Sequence, residues 1–264
     1  MNATGGSDFD GRVVWVSGAA SGMGACFARR FNELGAGVGC IDADPGVIEA
    51  ATQLGRDGTR AHGVIADVTD PAAIDAGAAQ LESALGPAEI VVLSAGVAAT
   101  STPIADLGAA EWNRVLAVNL TGLFLTMRAA IPQLRQADGG VIVVIASAAG
   151  LGTGPGYAPY YASKHGAIGL MSTAANELAA DGIRVNAVCP GWVDTPMFET
   201  QADELGWDRG EAAETFTADQ LFGRLIEPDE IADAVLWLAS PRAAMVTGIA
   251  LPVDGGLLAA RFRS

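Results

Sequence analysis

The stretch VVWVSGAASGMGACFARRF, Val13 to Phe31, begins as an apolar run and ends as an amphipathic one, with Gly18, Gly22 and Gly24 between. The first part reads as a β-strand and the second as a helix, so the glycines stand where the chain turns from one into the other. Glycine there permits a tight turn and lets the backbone approach a pyrophosphate at the positive helix N-terminus. No Gly-Lys-Ser/Thr ending follows, which argues against an NTPase P-loop. An S-adenosylmethionine-dependent methyltransferase shares the same strand–glycine–helix opening and stands as a competing reading.

Outward from this opening, short β-rich runs alternate with longer helical segments to the C-terminus. Strands are expected at Arg12–Val16, Val38–Ile41, Ala61–Ile65, Ile90–Leu93, Val141–Ile145, Val185–Val188 and Ile249–Val253. They are apolar throughout rather than alternating, which suits a parallel sheet covered on both faces. Pro45, Pro71 and Pro228, each after an acidic residue, are expected at first helical positions. The expectation is one α/β domain over residues 1–264, doubly wound, with a Rossmann-type seven-stranded parallel sheet and helices on both faces. Residues 195–222 are too long for a simple connection and are expected to form a substrate lid.

Composition narrows the function classes. The 264 residues carry a net charge of −15, so no basic stripe is available for nucleic acid or an anionic membrane. The longest apolar runs, Ile90–Leu93 and Val141–Ala146, are far shorter than a membrane span. The polar opening MNATGGSDFDG lacks a signal-peptide pattern, and Cys26, Cys40 and Cys189 are widely separated. Reduced thiols in a cytoplasmic protein and no metal site are expected.

Asp42 ends the second strand, eighteen residues after Gly24. That offset suits a carboxylate accepting from the hydroxyls of an adenosine ribose, and its charge would repel a 2′-phosphate. NAD is therefore expected over NADP. The competing role, capping the next helix, falls more naturally to Asp44. Asp67, after the third strand, is a candidate for the adenine amino group or a plain loop residue.

All three tyrosines, Tyr157, Tyr160 and Tyr161, lie within eleven residues of the sequence together with the only lysine, Lys164; the other fourteen basic residues are arginines. Residues four apart share a helix face, and an ammonium near a phenol lowers a pKa that starts near 10. Spacing alone leaves the choice among the tyrosines open, as it leaves open a hydrophobic cluster beside one stray lysine.

The set Gly18-Ala-Ala-Ser-Gly22-Met-Gly24, Ser94-Ala95-Gly96, Asn119, Ser147, Tyr160-x-x-x-Lys164 and Pro190-Gly191 resembles the short-chain dehydrogenase/reductase family, in that family's order, from about residue 10 to 256. The resemblance implies a tetrad of Asn119, Ser147, Tyr160 and Lys164. In it Tyr160 is the acid/base, Lys164 lowers its pKa and holds the nicotinamide ribose, Ser147 bonds the substrate oxygen, and Asn119 holds a water leading from Lys164. It also implies cofactor contacts from Ser21, Met23, Val68, Val193 and Thr195, besides the glycines, Asp42 and Asp67. Where the family usually has Asn and Thr, this chain has Ser94 and Ser17, which leaves the fine geometry there in doubt. A homotetramer, formed through helices near 103–136 and 158–181, is implied as well, and the C-terminal LPVDGGLLAARFRS is a further candidate for a subunit contact.

Substrate-pocket candidates are Leu151, Tyr157, Trp192, Met197 and Phe198, with Trp207 and Phe216 also in the lid region; about half are expected only to pack the lid. Seven carboxylates and one arginine, Arg209, lie between Thr195 and Phe222. An anionic thioester would be repelled there. The reading is an NAD(H)-dependent oxidoreductase that interconverts a neutral, fairly hydrophobic secondary alcohol and its ketone. The alternatives are a 3-oxoacyl-thioester reductase and a catalytically silent dinucleotide sensor on the same fold.

Overall fold

The computed structural model describes residues 7–260; Met1–Gly6 and residues 261–264, and with them the ends of the two terminal segments read above, lie outside the described residues. The described chain runs β1 (Val13–Ser17), α1 (Gly22–Glu33), β2 (Gly37–Asp42), α2 (Gly46–Leu54), β3 (Ala61–Ile65), α3 (Pro71–Leu85) and β4 (Ile90–Leu93). Then come α4 (Ala109–Leu116), α5 (Leu123–Gln136), β5 (Gly140–Ile145), α6 (Ala158–Leu178) and β6 (Ile183–Pro190). Last are α7 (Pro196–Glu204), α8 (Arg209–Thr217), α9 (Pro228–Ala239), β7 (Ala250–Val253) and α10 (Leu257–Ala260).

Among the described residues the strands form one sheet in the order β3-β2-β1-β4-β5-β6-β7, every pairing parallel. The uniform apolarity of the strands has a direct cause. Side chains alternate between faces, and each face has its own helical cover. Val13, Trp15, Ile142 and Val144 point into a core with α3, α5 and α6, while Val14, Val16, Val141 and Val143 point into one with α1, α2 and α9. Burying each such side chain contributes about 1.5–3 kcal/mol.

The order reverses between β1 and β4. Two chain halves diverge there and leave a crevice at the carboxyl ends of the strands, where ligands bind in open α/β sheets.

Three local features add to these expectations or adjust them. α2 starts at Gly46, one residue after Pro45, because the Asp44 carboxylate accepts from the Gly46 N–H at 2.8 Å and turns the chain there. Residues 195–222 are largely a helical pair, α7 and α8, with a small core of Phe198, Ala202 and Ala212. Finally, α4 and α5 join through a π-helical turn, Ala117–Gly122, into one helix that is long and apolar enough for a membrane span by length and composition. Its apolar face is used otherwise: Leu123, Leu125, Met127, Ala130 and Leu134 are buried, and α5 packs on α3, β4 and β5.

The caps can be tested singly. The Asp70 side chain accepts from the Ala72 and Ala73 amides at 2.9 and 3.3 Å and starts α3. Asp70→Ala is expected to cost about 1 kcal/mol, read as a lower urea midpoint at unchanged m-value; an unshifted midpoint would remove the cap from the account.

Candidate active site

The crevice is built by backbone contact. A Cβ on Gly18 would lie 2.8 Å from the Ala95 Cα, and one on Gly24 would lie 2.0 Å from the Gly18 carbonyl oxygen. Gly18 also holds φ +71°, which disfavours side chains. So the loops after β1 and β4 and the first turn of α1 close on one another with no room for a methyl group. Ser17 ties two of these loops together: its Oγ accepts from the Ser94 and Ala95 amides at 3.1 and 3.3 Å. Ser21 precedes α1 but makes no side-chain cap hydrogen bond, which leaves the first-turn amides of α1 as donors for an anion.

Asp42 lies at the rim of this cradle. Its Oδ2 accepts from the Ala20 amide at 2.9 Å and its Oδ1 from the Asp44 amide at 3.0 Å, so the carboxylate is held against the glycine loop. Asp67 is exposed, with Oδ1 taken by the Thr69 amide and hydroxyl at 2.8 Å each, and Val68 beside it is buried. These residues suit a dinucleotide: a turn too tight for side chains, free amides at a helix start, and a fixed carboxylate one strand away.

On the far side of β4, Asn119 sits in the π-helical turn, a device that often marks functional positions. Its Oδ1 accepts from the Val97 amide at 2.8 Å, and its Nδ2 donates to the Val97 carbonyl at 3.0 Å and to Ser163 Oγ at 3.3 Å. The amide therefore clamps the segment after β4 to α6. Gly96 lies in that segment, and a Cβ there would be 3.4 Å from Asn119 Oδ1 and 3.7 Å from Lys164 Nζ. Asn119 and Lys164 thus meet behind the same backbone.

Ser147 follows β5 and begins a short 3-10 turn, accepting from the Ala149 amide at 3.1 Å. The Tyr160 hydroxyl is hydrogen-bonded to it. Lys164, one turn along α6, is 6% exposed; its Nζ donates to the Ile145 carbonyl at 3.1 Å and lies 5.5 Å from the Tyr160 ring centroid. The charge balance departs from the sequence expectation. Burial pushes the Tyr160 phenol above its ordinary 10, and the Ser147 hydrogen bond pulls it partly back. Burial also brings Lys164 down to about 8. Both groups are driven toward neutrality because both are withdrawn from water.

Tyr160 and Ser147 open onto a cavity of about 390 Å³. Met23, Pro190, Gly191, Val193 and Thr195 line its floor, which joins it to the glycine cradle. Tyr157, Trp192, Met197 and Phe198 line its walls as expected. Phe216 is the hub of the α7–α8 pair: it stacks on Trp192 at 4.2 Å and touches Phe198 and Trp207 at 5.9 and 5.5 Å. Trp207 is therefore packing rather than lining. Leu151 is a correction: it ends the 3-10 turn 41% exposed and lies outside the cavity.

Sequence reasoning missed Tyr161, Leu257, Leu258, Gln201, Thr215 and Asp219, all of which line the cavity. The helical phase of Tyr161 carried a signal, and so did the paired leucines after Gly255-Gly256. For Gln201, Thr215 and Asp219 no local pattern existed. A broader depression of about 520 Å³ on the outer side of α8, near Arg209 and Arg224, contains neither Tyr160 nor Ser147.

Known proteins bear on this geometry. The profile described as "Enoyl-(Acyl carrier protein) reductase", a branch of the short-chain dehydrogenases, matches residues 18–258. The chain belongs to the short-chain dehydrogenase/reductase family. It is 38% identical over 254 residues to a cis-4-hydroxycyclohexanecarboxylate dehydrogenase of Sinomonas cyclohexanicum, covering 96% of this chain and 99% of that one. It is also 38% identical to a D-threitol dehydrogenase of Mycolicibacterium smegmatis, covering 94% of this chain and 93% of the other. The crystal structure of an actinorhodin polyketide ketoreductase with NADPH superposes with a TM-score of 0.87 at 36% identity, covering 96% of this chain and 98% of that one. This short-chain dehydrogenase/reductase is an oxidoreductase of CH–OH groups that uses a nicotinamide dinucleotide.

The buried lysine has a stability consequence. With a folded-state pKa of about 8 against an ordinary 10.5, the ammonium penalises the folded state below pH 8, and the penalty fades as pH rises from 8 to 10.5. Lys164→Met is expected to raise Tm at pH 7, by at most roughly 3 kcal/mol in stability, with the gain shrinking above pH 8. Calorimetry at pH 7 and 10 reads it; a lower Tm at pH 7 would mean that its hydrogen bonds outweigh its burial.

Proposed function

We propose that the protein interconverts a neutral, mostly apolar secondary alcohol and its ketone, with NAD in preference to NADP. One observation carries this: Ser147 and Tyr160 line a single cavity with aromatic and aliphatic walls, and among its described lining residues there is no Lys, Arg or His. A phosphate- or carboxylate-bearing tail would find no counter-charge there. That weighs against a 3-oxoacyl-thioester, and the complete set of acid/base groups weighs against a silent sensor.

The bound nicotinamide ring supplies the hydride acceptor or donor. Ser147 hydrogen-bonds the substrate oxygen, and Tyr160 takes its proton in oxidation or returns it in reduction. Lys164, one helical turn away, favours the phenolate as it forms. Asn119 is a positioning residue, since it clamps Val97 to α6 behind Lys164. The α7–α8 pair acts as the lid and keeps water from the reacting carbon.

The preference for NAD rests on Asp42. Each of its oxygens accepts one backbone N–H and retains acceptor capacity for the ribose diol, while its charge opposes a 2′-phosphate. A homotetramer, whose exposed Trp112 and Phe124 on α4 and α5 suit a subunit contact, and a cytoplasmic location, consistent with three buried unpaired cysteines, complete the proposal.

Two measurements test it. Tyr160→Phe is expected to lower kcat by about a thousandfold or more with NADH binding retained, while Tyr161→Phe, which only lines the cavity, loses far less. Equal losses at the two tyrosines would break the assignment. Asp42→Ala is expected to lower the NAD-over-NADP ratio of kcat/KM by about tenfold or more; an unchanged ratio would remove Asp42 from cofactor choice.

A further inference from the structure

The cavity is not apolar all round. Besides Ser147 and the tyrosines, three polar side chains from the segment after β6 line it: Gln201 from α7, Thr215 from α8 and Asp219 from the turn after it, the last two exposed. Among the described residues none of the three has a hydrogen bond or ion pair to protein through its side chain, whereas the carboxylates just outside the cavity, Asp194 and Glu199, are both held by Arg209. Arg209, the only basic residue between 195 and 222, thereby pairs with carboxylates other than Asp219. Asp219 is the only formally charged side chain in the described lining.

Its position is fixed by its neighbour. Gln220 is buried; its Oε1 accepts from the Trp192 amide at 3.0 Å and its Nε2 donates to the Arg224 carbonyl at 2.6 Å. The next residue, Leu221, donates its amide to the Gly255 carbonyl at 2.8 Å. The backbone at 219 is therefore tied both to the strand-end loop and to the C-terminal segment. Asp219 is itself exposed, so water meets its oxygens, and a substrate hydroxyl that reaches this wall takes that water's place.

Resting on the reading of the site as a secondary-alcohol oxidoreductase, we propose that Asp219 is a specificity residue, and that the substrate carries a second hydroxyl, remote from the reacting carbinol, which donates to it. The apolar walls hold the carbon skeleton between the two oxygens. The same carboxylate repels a substrate with an anion at that end. A hydrogen bond to a charged acceptor is stronger than one between neutral groups, and exposure of Asp219 to water sets how much of that strength shows as discrimination.

Three probes with the same ring separate these effects: cyclohexanol, cis-1,4-cyclohexanediol and cis-4-hydroxycyclohexanecarboxylate, differing only in hydrogen, hydroxyl or carboxylate at the remote carbon. The wild type is expected to favour the diol over cyclohexanol in kcat/KM by about tenfold or more. Asp219→Leu should bring that ratio close to one, and Asp219→Asn should raise the carboxylate-to-diol ratio by about tenfold. Ratios unmoved in both variants would overturn the proposal.

Calorimetric titration of the same probes into the NADH-loaded protein reads the contact without turnover. If no probe turns over while the diol still binds more tightly to wild type than to Asp219→Leu, the reaction assigned above fails and this inference stands. Equal binding of the diol to both proteins, with NADH binding intact, sinks the inference alone.

Discussion

Everything in this molecule hangs on backbone approaching backbone at one crevice. A methyl group at position 24 would sit 2.0 Å from the Gly18 carbonyl oxygen, and one at position 18 would strike the Ala95 backbone. Those contacts draw together the loop after β1, the loop after β4 and the start of α1, where the strand order reverses. Ser17 fastens two of these loops with one hydroxyl, and Asp42 fastens the glycine loop to β2. The closure leaves a groove in which amides, rather than side chains, face a ligand. It also fixes how far Ser147 and Tyr160 stand from that groove, because β4, β5 and β6 are registered to β1 through the same sheet.

The parts legible in the sequence are those whose chemistry is local. Apolar runs such as Ile90–Leu93 become strands because a parallel sheet covered on both faces has no polar side. The glycine turn, Asp42 and the Tyr160–Lys164 spacing each carry their meaning within a few residues. The π-helical turn around Asn119 was illegible, since its width follows from how α4 and α5 pack and not from a distinctive residue pattern. Leu151 was misassigned because proximity in sequence to Ser147 says nothing about which way a 3-10 turn ends. The segment after β6 contributed the largest gap. Residues as far apart as Gln201, Thr215 and Asp219 become neighbours only when α7 and α8 fold on Phe216, a contact of tertiary origin.

The site is held at a cost to stability. Lys164 is the one lysine in the chain, and it is buried with its pKa brought down to about 8, while burial pushes the neighbouring phenol up. A fold selected for stability alone would place an aliphatic side chain on that face of α6, as it does at Ala167 and Met171. The difference lies in what the two groups do to each other. Below its pKa of about 8 Lys164 is still an ammonium, and 5.5 Å from the Tyr160 ring it favours the phenolate that forms when the phenol gives up its proton.

Charge is distributed across the cavity with the same economy. An excess of acidic side chains gives the chain its −15, yet the described cavity wall admits only Asp219. Asp219 shares its exposure with the carboxylates of α7 and α8 but, unlike Asp194 and Glu199, is not engaged by Arg209. Tyr160 and Asp219 line the same cavity, and Trp192 stacks on Phe216 in its lining. The lining residues belong to different parts of the chain. The acid/base residues therefore come from the turn after β5 and from α6, and much of the remaining lining from the segment after β6. Phe198, Ala202 and Ala212 give α7 and α8 a small core of their own, separate from the two that cover the sheet.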